Sequence, residues 1–267
     1  MPAEAKTIEL PSGRVEALIG GDGPALVVLP HEFGWLGWEP LHEILAKRRR
    51  VIAISPPGFD QSERPAWLRN VPDLAALVGQ ALDTLGIGRA TVLGLGFGGW
   101  VAAELAVRGP QRVDGLLLHA PMGIKPTSGE ILDQFLVSSA TYVELGFTSA
   151  EAFAACVPGG TEAHLDRWEN NREMTTRIAW KPYMYNPALP HLLRGLHLPA
   201  VVTWGKADRI VPESCARAYA GALDGAVHRQ LDAAGHAADL EIPAVLAEAL
   251  LDHLDAPEAR HRARLAG

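Results

Sequence analysis

Asp208, in WGKADRIVP, and His236, in LDAAGHAADLEIP, each follow directly on an apolar run. An acid and an imidazole delivered from two strand ends are the parts of an oriented general base. A third stretch, VLGLGFGGW at 92–100, passes from an apolar run through glycines into VAAELAV. Strand, G-x-?-x-G-G and helix form the frame of a nucleophile elbow, a strained turn that lifts a Ser, Cys or Asp over the sheet edge. Here the middle residue is Gly96, which supplies no nucleophile. Glycine-rich turns also cradle dinucleotide phosphates, but those follow a first strand and need an acid at the end of the next. This turn follows the fifth apolar run, and the next run ends in LLLHA.

Deleting the nucleophile of a serine hydrolase costs about a millionfold in turnover, so a conventional acyl-enzyme route is not expected. No neighbour replaces it: Ser62 is on another loop, Thr91 begins the strand, and Cys156 and Cys215 fall in helical patterns. His236 backed by Asp208 is then expected to act on water held in the space over Gly96, or on a substrate proton. Glu32 is a second candidate acid–base group, against an orientation toward solvent or onto a loop amide. His31 reads as packing and His119 as a satisfied polar contact.

The positioning elements follow from periodicity. Apolar runs at 6–10, 14–20, 25–30, 50–55, 90–95, 113–120, 199–205 and 226–232 read as strands, most of them buried. Helical patterns lie between them in EPLHEILAKR, VPDLAALVGQALDTLG, GGWVAAELAVRG, PESCARAYAGAL and IPAVLAEALLDHL. Alternating strand and helix predicts an α/β fold, a mostly parallel eight-stranded sheet with helices on both faces, entered through an antiparallel pair. The alternation stops between about 122 and 197, where LDQFLVSSATYVEL, TSAEAFAACV and EAHLDRWENNREMTTRIAW look helical. The expected division is a core of 1–121 and 198–256, a helical cap insertion at 122–197 and a tail at 257–267.

The formal charge of −7 argues against a nucleic-acid surface, which needs clustered cations. The basic runs at 48–50 and 260–264 read as solvated flanks. Two cysteines make neither a disulfide framework nor a zinc motif, and a reducing cytoplasm fits. The first residues lack a signal-peptide profile, and no apolar stretch approaches the roughly eighteen residues of a membrane span. The expected partner is a small-molecule substrate or ligand, with no nucleic acid, membrane, metal or cofactor; a homodimer is compatible. Of the aromatic residues, Trp35, Trp168, Trp180 and Tyr183 are expected to bind substrate, with Phe33 and Phe97 on the pocket wall and Trp100 in the core.

Taken together, these motifs resemble the α/β-hydrolase superfamily over nearly the whole chain. LPHEFGW (29–35) resembles its oxyanion loop, and ISPPGFDQSERP (54–65) its Pro-Gly-x-Gly-x-Ser turn. NREMTTRIAWKPYMYNP (171–187) resembles the cap of a bacterial group of hydrolases. The resemblance implies that Asp208 orients His236 and that the backbone N–H groups of Phe33 and Phe97 form an oxyanion hole. Three departures stand out: Gly96 for the nucleophile, Glu32 for a loop glycine, and Asp60 for the second glycine of the turn. Branches of the superfamily that use the His–Asp pair without serine imply water activation or carbon–carbon and carbon-acid chemistry on a small, largely apolar carbonyl or ester-like substrate. The alternatives are a pseudoenzyme that binds a small ligand, and a serine hydrolase disabled by a Ser-to-Gly substitution.

Overall fold

The computed structural model describes residues 3–255, with side chains to 252. All eight apolar runs form strands: β1 Glu4–Leu10, β2 Gly13–Gly20, β3 Ala25–Leu29, β4 Arg50–Ser55, β5 Ala90–Leu95, β6 Val113–His119, β7 Ala200–Gly205 and β8 Val227–Leu231. They make one sheet in the order β1-β2-β4-β3-β5-β6-β7-β8. The β1–β2 and β2–β4 pairings are antiparallel, and every other pairing is parallel.

Parallel strands need crossovers, which the chain supplies as α1 Pro40–Leu45, α2 Val71–Thr84, α3 Phe97–Arg108 and α8 Glu213–Ala222, while α10 Pro243–Asp255 follows the last strand. Between β6 and β7 lie α4 Ser139–Leu145, α5 Ala150–Cys156, α6 Leu165–Ala179 and α7 Leu189–Leu193; α9 Ala238–Glu241 follows β8. The strands are apolar on both faces because both are covered. On one face Val27, Ile52, Val92 and Val202 pack with α2, α3 and α8. On the other, Leu26, Val51, Leu93 and Val201 pack with α1 and α10.

The helix expected over 132–145 forms only from Ser139, after Ser138 caps α4 by accepting from the Thr141 amide. Upstream, the backbone is bonded outward: Leu132 N–H donates to Ile210 O, and the Tyr183 hydroxyl accepts from Gln134 N–H and donates to Leu132 O. Residue 256, the tail at 257–267 and its basic run lie outside the described residues.

This order sets β3, β5, β6, β7 and β8 side by side. The C-terminal ends of these strands and the loops leaving them carry His31 and Glu32, Gly96, His119, Asp208 and His236 to one edge of the sheet, where open α/β sheets bind ligands.

Candidate active site

The turn after β5 is held by its backbone. Gly96 N–H donates to His119 O at 2.9 Å, Gly96 O accepts from Met122 N–H at 3.0 Å, and Gly98 N–H donates to Pro30 O at 2.9 Å. A β-carbon on Gly98 would lie 2.4 Å from Pro30 O, so only glycine lets the loop after β3 come this close. Gly96 has φ 50° and ψ −113°, the strained geometry an elbow requires.

A β-carbon on Gly96 would lie 2.6 Å from His31 Nδ1, 2.7 Å from His236 Nε2 and 2.9 Å from Glu32 Oε2. The expected room for a water over Gly96 is therefore absent: three side chains fill it. Nor does Glu32 face solvent. It is 2% exposed, accepts at Oε2 from the Phe97 amide (3.3 Å) and at Oε1 from the Tyr142 hydroxyl (2.9 Å), and stands 3.5 Å from His236 Nε2. Burial pushes its carboxyl up, but the facing His236 and His31 rings outweigh this and hold it at about 2.

Asp208 and His236 meet as expected, Asp208 Oδ2 lying 2.9 Å from His236 Nδ1. The other Asp208 oxygen accepts from the amides of Ile210 (2.7 Å) and Val211 (2.8 Å), which fixes the carboxylate. Burial lowers the His236 pKa, yet the Asp208 and Glu32 carboxylates together carry it up to about 10. Set between Asp208 and Glu32, His236 holds its proton at neutral pH and is not yet a base.

His31 does more than pack. Its Nε2 lies 2.9 Å from Asp239 Oδ1, and since the carboxylate accepts, Nε2 carries the hydrogen of that bond, with Nδ1 turned toward Gly96. Burial raises the Asp239 carboxyl, but the His31 ring more than reverses this. His119 is the satisfied contact expected: Nε2 donates to the His236 carbonyl (3.1 Å) and Nδ1 faces the Thr203 hydroxyl (2.9 Å), while burial lowers its pKa to about 4. The phenol of Tyr142, fully buried and beside Glu32, is pushed well up and stays neutral.

Beside the cluster is a small cavity lined by Glu32, Phe33, Gln134, Tyr142, Trp168 and Arg172, leaving ≈10 Å³ to the centre of a water molecule. About one water fits. Of the expected substrate-binding residues, only Trp168 lines it. Trp35 is buried under α1 against His42, with its indole donating to Ile54 O. Trp180 is 49% exposed and Tyr183 is taken up by the 132–134 backbone, the two rings meeting edge to face. The Phe97 ring turns into the core against Phe59 and Trp100, leaving only its amide at the site. The Phe33 ring stacks on His31 and does line the cavity. Sequence reasoning missed His31, Tyr142 and Asp239. The available signals were the adjacency of His31 to Glu32 and the carboxylate three residues beyond His236.

A family model for the alpha/beta hydrolase fold matches residues 24–152. The chain is 30% identical over 226 residues to a 2-hydroxy-6-oxononadienedioate/2-hydroxy-6-oxononatrienedioate hydrolase of Paraburkholderia phymatum, covering 77% of this chain and 76% of that protein. It is also 33% identical over 210 residues to the dihydrolipoyllysine-residue acetyltransferase component of the acetoin cleaving system of Pseudomonas putida. That match takes in 74% of this chain but only 56% of the length of the relative. Among solved structures, a bacterial membrane phospholipase A superposes with a TM-score of 0.82 at 22% identity, covering 95% of this chain and 86% of that one. The chain belongs to the α/β-hydrolase fold family. No helix among the described residues is long and apolar enough to cross a membrane.

Proposed function

We propose that the protein is a hydrolase of small, largely apolar carbonyl or ester-like substrates that works on water through Glu32, His236 and Asp208, without a serine acyl-enzyme. The observation that carries this reading is the Glu32 carboxylate over Gly96, on the Phe97 amide and 3.5 Å from His236 Nε2. A buried acid, an imidazole and a second acid in line can hold and move a proton at the His236 Nε2 atom. The Phe97 amide is the donor that a developing oxyanion would use once Glu32 swings aside. The name of the Paraburkholderia relative, a hydrolase of unsaturated oxo-acids, supports a carbonyl substrate. The identity of the substrate is part of the proposal.

The test is turnover of ester, thioester and vinylogous β-diketone panels by the full chain, with and without serine-directed sulfonyl fluoride. Turnover that resists the reagent and falls about 10²–10⁴-fold in His236→Ala is the expected result. Turnover unchanged in both His236→Ala and Glu32→Gln would sink it.

A second reading is ligand binding without chemistry. It is favoured by the ≈10 Å³ left in the cavity and by Glu32 already occupying the Phe97 donor. Saturable binding of panel compounds with no turnover of any of them would select it.

A further inference from the structure

We propose that His31, Glu32 and His236 form a binding site for one divalent transition-metal ion of the zinc or ferrous class. One ligand atom from each lies within 4.8 Å of the other two, and all three residues are buried. His236 Nε2 and Glu32 Oε1 are 3.5 Å apart, the edge of a coordination tetrahedron with bonds of about 2.1 Å. Neither His31 Nδ1 nor His236 Nε2 makes a hydrogen bond among the described residues beyond the 3.5 Å ion pair of His236 Nε2 with Glu32, although both are buried and both aim over Gly96. His31 Nδ1 and His236 Nε2 are both turned toward the one carboxylate, Glu32, and a metal ion entering between them would take the place of the proton that His236 Nε2 holds against Glu32.

The remaining ring nitrogens complete the pattern. His31 Nε2 is held on Asp239 and His236 Nδ1 on Asp208, each at 2.9 Å. A carboxylate behind each histidine fixes the ring and leaves the opposite nitrogen to ligate. Glu32 is oriented by Tyr142 and the Phe97 amide. Two imidazoles and one carboxylate, with the one-water cavity beside Glu32 as the source of a further oxygen, are a donor set that suits zinc or ferrous iron. Three buried carboxylates, Glu32, Asp208 and Asp239, stand around two imidazoles, a negative surround that favours a dication. Glycine at 96 follows from this arrangement, because any β-carbon there would sit among the ligand atoms. The catalytic use of the ion, activation of water for a carbonyl substrate, rests on the hydrolase reading; its binding does not.

The test uses the full chain stripped with chelator and titrated by calorimetry with Zn²⁺ and, anaerobically, with Fe²⁺; Mg²⁺ serves as the oxygen-seeking control. Co²⁺ is added for its visible spectrum. The expected result is one equivalent of Zn²⁺ or Fe²⁺ bound and no Mg²⁺, with Co²⁺ giving d–d bands of a nitrogen- and oxygen-ligated ion. Binding should be lost in His31→Ala and in Glu32→Gln, weakened about 10- to 100-fold in Asp239→Asn, and unchanged in His191→Ala. Should the ligand variants fail to fold, anomalous scattering from a Co²⁺-soaked crystal of the unaltered chain decides, by a peak over Gly96 or elsewhere. No stoichiometric binding, or binding indifferent to His31 and Glu32, overturns the proposal. Metal bound without turnover leaves the site standing and removes the hydrolase reading; turnover by a chain that binds no metal does the reverse.

Discussion

A serine at Gly96 would carry its β-carbon to within 2.6 Å of His31 Nδ1 and 2.7 Å of His236 Nε2, and each of those rings is anchored on a buried aspartate. Neither ring can swing away without breaking that bond. Gly96→Ser is therefore expected to lower the melting temperature and to leave hydrolysis of short-chain p-nitrophenyl esters at the wild-type level; a large gain would mean that the site relaxes into a serine hydrolase. His42 allows a separate residue-scale prediction. It is buried between Trp35 and Trp38, and burial lowers its pKa to about 4, the nearby Asp239 opposing. The unfolded chain, with an ordinary imidazole, binds the proton first as pH falls. The stability this site contributes is thus complete above about pH 6.5 and is lost progressively toward pH 4. Measured against His42→Gln by urea unfolding, the wild type should lose on the order of 3 kcal/mol across that window. A constant difference would refute the assignment.

At the scale of elements, one contact ties α6 to the sheet edge. Asn171 accepts from the Asp60 amide (2.8 Å) and donates to Asp60 Oδ1 (3.0 Å), while Asp60 Oδ2 accepts from the Ser55 hydroxyl (2.8 Å). This explains an aspartate where a glycine was the family pattern: Asp60 has φ 51°, and its side-chain bonds offset that strain. Asn171→Ala leaves the half-buried carboxylate and amide of Asp60 short of partners and should cost about 1–3 kcal/mol in equilibrium unfolding. The strands and the placement of Asp208 and His236 were legible because short continuous apolar runs and the residues just after them are local signals. The start of α4 was not, since the backbone at 132–134 bonds to Tyr183 and Ile210 instead of to itself. The same limit hid Trp35 and Trp180: a loop or helix-end residue gives no periodicity from which its facing can be read.

Over the whole molecule, five adjacent strands deliver the cluster, so a ligand held there braces both halves of the sheet. For the proposed metal site, Zn²⁺ at about one hundred times its dissociation constant should add about 2.7 kcal/mol, a rise of roughly 5 °C or more in melting temperature. Scanning calorimetry of the stripped chain should show it, and His31→Ala should abolish it. The architecture was readable from the sequence, whereas the joining of His31 and Glu32 to His236, some two hundred residues away, was not. Only the strand order β3-β5-β6-β7-β8 makes them neighbours. Glu32, bonded to the Phe97 amide, also acts as a resident anion. A tethered group competes at an effective concentration on the order of millimolar. Under the proposed hydrolysis, a free acid formed beside Glu32 must displace it to remain, so Glu32 would act as a built-in displacer of carboxylate products and the chain should resist inhibition by them.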